Sequence, residues 1–225
     1  MAENIILFGN GVTAQCVYKY FEVNTAYNFL GYCIDDEYLK TSRQLLGLPV
    51  LNFTEATEKF SGDAKIVVCV GYSSMNMDRE SITKRCQLAG WTCGNLIPED
   101  KVAFINSVGV GNILMPGAEV QPFVSIGDGN IIWPGSTIGH NSTVGSFVWV
   151  AANAAVGGQC KIGDRSFLGM NSVVSNGVRI ARDNFVDAHT NLKKCTSDGQ
   201  VFLGNSSLPA PMKSKTFSKL TKLGC

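Results

Sequence analysis

Histidine is nearly absent from this chain. Its 225 residues contain only two, His140 and His189. Eight cysteines are scattered from Cys16 to Cys225, with no CxxC pair and no spacing that would join a histidine in a metal site. The expectation is free thiols in a reducing compartment, and no metal. Charge is also sparse and balanced: 19 Lys and Arg stand against 18 Asp and Glu, a formal net charge of +1. No strong field is available to attract nucleic acid or an anionic membrane surface. Purely aliphatic runs are as short as Ile5-Ile6-Leu7, far from the roughly 20 residues that span a bilayer. The N-terminus has no basic segment, apolar stretch or small-residue cleavage site, so a cytoplasmic protein is expected.

What is present is a period of six. Every sixth residue from Leu96 to Leu192 is aliphatic: Leu96, Val102, Val108, Leu114, Val120, Ile126, Ile132, Ile138, Val144, Val150, Val156, Ile162, Leu168, Val174, Ile180, Val186 and Leu192. With about a quarter of residues aliphatic, chance gives such a series on the order of once in 10¹⁰ trials. Neither the 3.6-residue period of an α-helix nor the two-residue period of a strand produces it. A hexapeptide repeat predicts a parallel β-helix, in which three short strands close a coil of 18 residues. Two positions before each aliphatic, from Ala118 to Thr190, the residue is small or β-branched, or asparagine. That composition suits a crowded interior or corner. Glycine often follows the aliphatic, as at Gly139, Gly145, Gly157 and Gly163. It is expected there both for corner dihedrals and for close approach of neighbouring coils.

The repeat divides the chain into residues 1–95, a β-helix over 96–192 and a tail over 193–225. In the first part, Ile5 to Phe8, Phe29 to Ile34, Ile66 to Val70 and Trp91 to Ile97 read as strands. Helices are predicted from Val12 to Phe21 and from Met77 to Leu88, with Val12, Cys16, Val17, Tyr20 and Phe21 on the apolar face of the first. The alternation implies a small, Rossmann-like α/β domain with a parallel sheet. Gly9-Asn10-Gly11-Val12-Thr13-Ala14 fits the GxGxxA fingerprint, a glycine turn that brings backbone N–H groups and a helix N-terminus to a phosphate. Asp35 and Asp36 end the second strand, where a carboxylate can accept from ribose or base, and Gly71 ends the third. At half the size of a full dinucleotide fold, the domain suits one nucleoside diphosphate better than NAD.

A small nucleotide domain with an Asp-Asp strand end, followed by a hexad β-helix, resembles the sialic-acid O-acetyltransferase-like family, which includes sugar-nucleotide N-acetyltransferases. The resemblance covers roughly residues 4 to 205. It is carried by Gly135-Ser136-Thr137-Ile138-Gly139-His140-Asn141-Ser142, by Lys161-Ile162-Gly163-Asp164, and by Phe167-Leu168-Gly169-Met170-Asn171-Ser172-Val173-Val174. It implies a left-handed β-helix, a homotrimer, acetyl-CoA as cosubstrate and His140 as general base. It also implies cofactor contacts at Trp149, Gly158, Met170 and Ala188, with Trp149 standing where relatives often have histidine. Many relatives carry an acid after the histidine; here it is Asn141, which cannot raise the imidazole's basicity. That departure favours an amine acceptor, which already has nucleophilic character, over a sugar hydroxyl.

The 18-residue coil adds a spatial expectation. Gly158 stacks on His140, while Trp149 lies half a coil away and faces another side, so a site using both requires two chains. Outward aromatics at Trp133, Phe147, Trp149, Phe167 and Phe185 are expected at a trimer interface. Gly199 to Ala210 resembles the family's terminal segment. The lysines that follow, Lys213, Lys215, Lys219 and Lys222, are read either as a solvated tail or as contacts to the CoA 3′-phosphate. The expected activity is N-acetylation of a nucleotide-linked amino sugar, such as a 4-amino-4,6-dideoxyhexose, for bacterial surface-glycan synthesis. The alternatives are O-acetylation of a sialic acid or related sugar, and a non-catalytic scaffold.

Overall fold

The computed structural model describes residues 2–39 and 43–204. The N-terminal domain contains β1 (Glu3–Phe8), α1 (Val12–Phe21), β2 (Tyr27–Ile34), β3 (Gln44–Leu45), β4 (Leu48–Asn52), α2 (Phe53–Phe60), β5 (Lys65–Val68) and α3 (Met77–Leu88). Its sheet runs β3-β4-β2-β1-β5, parallel throughout except for the β3–β4 hairpin. The hairpin and α2 were not expected from periodicity. A local signal for α2 exists: Asn52 Oδ1 accepts from the Glu55 N–H, and the Glu55 carboxylate accepts from the Asn52 N–H, a capping box. Trp91 to Ile97 is extended but makes only isolated bridges, Ile66 with Cys93 and Leu96 with Ile113. The face α1 buries is Ala14, Val17 and Phe21; Val12 and Tyr20 are exposed.

From Ile105 onward the chain winds as a left-handed parallel β-helix with three parallel sheets. The column of inward aliphatics from Leu114 to Leu192 is buried without exception. Burial of each such side chain contributes about 1.5–3 kcal/mol. The first members of the hexad series behave differently. Leu96 packs into the N-terminal domain's core, Val102 ends a short exposed helix, and Val108 is half covered because it belongs to the terminal coil. The small residues two places before each aliphatic, Ala118 to Thr190, are all buried, as the corners require.

Corner geometry corrects one expectation. Every sixth residue from Gly111 to His189 has positive φ, and most of these residues are not glycine: Asn141 (57°), Asn153 (59°) and Asn171 (54°) are examples. The glycines directly after the aliphatics do not adopt it. They are needed for proximity alone, since a Cβ on Gly139 would lie 2.4 Å from the Gly157 carbonyl carbon one coil away. Asparagine carries the left-handed conformation because its short polar side chain tolerates it.

The two domains share an interface that the sequence did not announce. Arg79 in α3 is 1% exposed. Its Nε donates to Gly129 O (2.9 Å), Nη2 to Phe147 O (2.9 Å) and Nη1 to Gly71 O (3.0 Å). Burial lowers its pKa, and the carbonyl dipoles around it favour the charged form. Beside it, Arg165 on the β-helix binds Asp183 with both carboxylate oxygens (2.6 and 2.9 Å) and reaches Glu80 of α3 at 3.1 Å. Asn76, fully buried, donates to Arg165 O.

This docking accounts for the aromatic positions. Trp149 (6% exposed), Phe167 (9%) and Phe147 (8%) are not a bare outer surface awaiting another chain. Trp149 and Phe167 pack into one cluster with Ile5, Leu7, Leu96 and Met115, so the chain's own N-terminal domain covers them. The seven cysteines among the described residues are free thiols, and only Cys195 is exposed.

Replacing Arg79 by Leu should strand the Gly129 and Phe147 carbonyls, costing about 3 kcal/mol in urea unfolding. The Lys84 and Arg165 hydrogen bonds hold Glu80 below the usual carboxylate range, and Arg165 does the same for Asp183. A depressed folded value means that this stabilisation is complete above the unfolded values near pH 4 and is lost as pH falls through the folded ones. The drop in urea midpoint between pH 7 and pH 3 should therefore be smaller in Arg165→Ala than in the native chain.

Candidate active site

Two cavities bear on the site, one within the N-terminal domain and one between it and the β-helix. The first, about 420 Å³, opens at the carboxyl ends of β1, β2 and β5. Strand order reverses here: β2 and β4 lie on one side of β1, and β5 on the other. Such a switch point leaves a crevice in an open α/β sheet. Gly9, Asn10, Gly11, Asp35 and Gly71 all line it, whereas Asp36 is exposed outside the lining. Gly9 has φ +111°, and a Cβ there would press to 3.3 Å from Cys69 O. Gly11 caps α1 without a side-chain hydrogen bond, so the first N–H groups of the helix are left for a ligand. The lining holds three carboxylates, Asp35, Glu37 and Asp78, and no lysine or arginine. Asp35 is paired with Arg85 at 2.7 Å, and the Arg85 guanidinium sits over the rings of Phe8 and Phe53. A phosphate in this cleft would be held by backbone N–H groups.

The second cavity is an apolar groove of about 390 Å³, walled by Trp133, Trp149, Phe167, Phe185, Met170 and Ala188 together with Tyr72. It brings together three of the four expected cofactor positions. Phe167 and Phe185 stack one coil apart at 4.7 Å. Trp133 contributes a buried indole N–H with no partner among the described residues, a donor suited to an amide carbonyl.

Tyr72 lines the second cavity from a loop whose neighbouring residues line the first, and no sequence pattern pointed to it. Its neighbours Gly71 and Ser73 line the first, while its ring meets Trp149 (5.1 Å) and Phe167 (4.7 Å) in the second and remains 51% exposed. The loop is held from behind by Arg79 on the Gly71 carbonyl. It then passes through three consecutive left-handed residues, Ser74, Met75 and Asn76, a conformation costing on the order of 1–3 kcal/mol at each non-glycine position.

His140 lines neither cavity. It projects from a different corner, between the strands Thr137–Ile138 and Thr143–Val144, and is exposed. Gln121 Oε1 accepts from its backbone N–H, and its Nδ1 lies 3.0 Å from Asn141 Oδ1. An amide oxygen can only accept, so this contact selects the tautomer with the proton on Nδ1 and leaves Nε2 bare. Gly158 is not in the aromatic groove. It lies beneath the imidazole, where a Cβ would stand 2.6 Å from Nε2.

The fold has known counterparts. Residues 107–140 and 141–176 match the model described as bacterial transferase hexapeptide (six repeats). No curated protein matches the chain. Among solved structures, a mutant of perosamine N-acetyltransferase from Caulobacter crescentus, in complex with CoA and GDP-perosamine, is 23% identical. It covers 88% of this chain and 92% of that one, with a TM-score of 0.78. The acetyltransferase domain of PglB from Neisseria gonorrhoeae, in complex with acetyl coenzyme A, is 21% identical over 89% and 96%, with a TM-score of 0.74. WeeI from Acinetobacter baumannii is 17% identical over 85% and 95%, with a TM-score of 0.59. At these identities the likeness establishes the shared architecture.

Among the described residues, no cluster of His, Cys, Asp and Glu is arranged to hold a metal, and no helix is long and apolar enough to cross a membrane. The tail, with Lys213, Lys215, Lys219 and Lys222, lies outside the described residues.

Gly158→Ala should push the His140 ring off its seat without disturbing the coil, because the ring is exposed and free to swing. The imidazole carbon-bound proton resonances of His140 should move while Tm stays within a degree or two of the native value.

Proposed function

We propose that this chain is a cytoplasmic acetyl-CoA-dependent N-acetyltransferase acting on a nucleotide-linked amino sugar. On this reading it belongs to the sugar-nucleotide branch of the sialic-acid O-acetyltransferase-like proteins. The observation that carries the reading is the meeting of a phosphate-ready cleft and an apolar groove at Tyr72, with the motif histidine presented, Nε2 bare, from another corner. The cleft suits a nucleoside diphosphate, since its glycine turn and uncapped helix offer N–H groups. The groove suits an extended apolar arm with amide carbonyls, for which Trp133 Nε1 is a waiting donor. The solved structures of like fold include acetyltransferases with CoA, acetyl-CoA or a nucleotide amino sugar bound, which supports the same assignment.

Acetyl-CoA supplies the acetyl group as a thioester. His140 Nε2 takes the proton from the sugar amine as its nitrogen bonds to the acyl carbon. The carbon–sulphur bond breaks, and His140 returns the proton to the thiolate, so the histidine ends as it began. Asn141 holds the tautomer and Gly158 leaves room for the ring. Because His140 and the groove lie on different corners of one coil, the working site combines His140 of one copy with the groove of another, and a homotrimer satisfies this cyclically. The small, partly exposed side chains of Ala155 and Val173, on the face between those two corners, suit close packing of β-helices.

Thiol release from acetyl-CoA should be seen with dTDP-, UDP- or GDP-linked amino sugars. His140→Ala should lower kcat by roughly 10²–10⁴-fold and leave the KM for acetyl-CoA nearly unchanged. Near-full activity in that variant would remove His140 as the base. Transfer only to hydroxyl acceptors would favour O-acetylation, and no thiol release with any acceptor would favour a scaffold. Sedimentation equilibrium should show a trimer; a stable monomer at micromolar concentration would refute the shared site.

A further inference from the structure

The β-helix face that begins at the His140 corner carries an unbalanced charge. Its outward residues, one per coil, are Ser107, Ser125, Thr143, Lys161 and Arg179. The first three are neutral, the last two are cations in direct cross-strand register, and none is acidic. Like charges directly opposite in a ladder are destabilising, and here no acid relieves them. Among the described residues neither Lys161 nor Arg179 forms an ion pair. Both are exposed. The next coil adds Lys193 and Lys194, also exposed and unpaired among the described residues. They turn the corner just before Cys195 and Thr196 run beside Arg179, with Thr196 N–H donating to Arg179 O. Other surface cations near the interface are treated differently: Arg165, Arg182 and Lys84 each have a carboxylate.

We infer that Lys161, Arg179, Lys193 and Lys194 form the binding strip for the phosphates of the acyl donor, its diphosphate and 3′-phosphate. This rests on the acetyl-CoA reading above and names residues to which the sequence reading assigned no contact with the cofactor. The geometry follows from the coil. His140, Gly158 and Asn176 stack along the corner that edges this face, and successive coils are about 4.8 Å apart. A thioester held at His140 therefore has Lys194 on its own column three coils on at about 15 Å, while Lys161 and Arg179, in register with Thr143, stand one and two coils on and roughly 10 Å across the face, which puts Arg179 at about 14 Å. An extended pantetheine arm has the reach of about four residues of extended chain, or about 14 Å. With its sulphur at His140 and the arm running along the β-helix axis, the diphosphate arrives at this strip. Cations gathered over neighbouring coils match a multiply charged anion that enters from solvent.

The test is titration calorimetry with CoA and 3′-dephospho-CoA on the full chain. Lys161→Gln with Arg179→Gln should raise the Kd for CoA about tenfold, and Lys193→Gln with Lys194→Gln should do likewise. One of the two pairs should also erase the native preference for CoA over 3′-dephospho-CoA, which locates the 3′-phosphate. The swap Lys161→Arg with Arg179→Lys should retain native binding. Tm should be unchanged or higher in Lys161→Gln with Arg179→Gln, because an unfavourable charge pair is removed; a structural role for the pair would lower it. Native CoA binding in both glutamine double variants would overturn the strip while leaving the acetyltransferase reading intact. Failure of the native chain to bind CoA at millimolar concentration would overturn both.

Discussion

The buried guanidinium of Arg79 is the interaction on which the arrangement of this molecule turns. A cation removed from water needs dense compensation, and here carbonyl groups supply it in place of a carboxylate. No single element provides them: Gly71 belongs to the loop after β5, while Gly129 and Phe147 belong to two successive coils of the β-helix. The charge is satisfied only when the domains are docked in one orientation. That orientation covers Trp149 and Phe167, sets Tyr72 against them, and places the phosphate-ready cleft beside the apolar groove. Without the guanidinium, the Glu80–Arg165 pair, the Asn76 hydrogen bond and the apolar cluster around Trp149 would remain to hold the two parts together.

A second constraint is the six-residue step. Because each coil repeats its neighbour in register, a residue's chemical surroundings are set by residues 18 away as much as by those next to it. Gly158 is glycine because His140 lies above it, and Gly139 because Gly157 lies beside it. Interior polar side chains follow the same logic: Asn112, Asn130 and Val148 form a ladder in which each asparagine Oδ1 accepts the N–H one coil on. The repeat thus supplies a rigid axis along which an extended ligand can be read, coil by coil.

The proposed chemistry relies on the contrast between the two parts. The N-terminal cleft is made of backbone, glycine turns and one uncapped helix, and it carries no cation of its own. The β-helix supplies what that cleft lacks: an imidazole with one nitrogen oriented by an amide, a wall of stacked aromatic rings, and exposed lysine and arginine on one face. Tyr72 lines the groove, while its chain neighbours Gly71 and Ser73 line the cleft.

The β-helix was legible in the sequence because its period is local and redundant; chance does not imitate a column of aliphatics running from Leu114 to Leu192. His140, Asn141 and the Gly9–Gly11 turn were legible for the same reason, since each lies in a short contiguous pattern with a fixed backbone role. Stacking of Gly158 on His140 followed from arithmetic on that period. Other features did not follow. Leu96 and Val102 share the period by position but not the column, because the chain has not yet entered the coil. The aromatic stripe read as an intermolecular surface because nothing local says that Arg79, some 70 residues from Trp149, will bring a domain down upon it. Tyr72 gave no signal, since its role arises only where two domains meet. Sequence by itself determined the repeat, the turns and the candidate base, whose causes lie within one strand, corner or coil. Tertiary structure alone decided which faces are covered and which cavities adjoin, because a buried charge is satisfied only by groups gathered from distant parts of the chain.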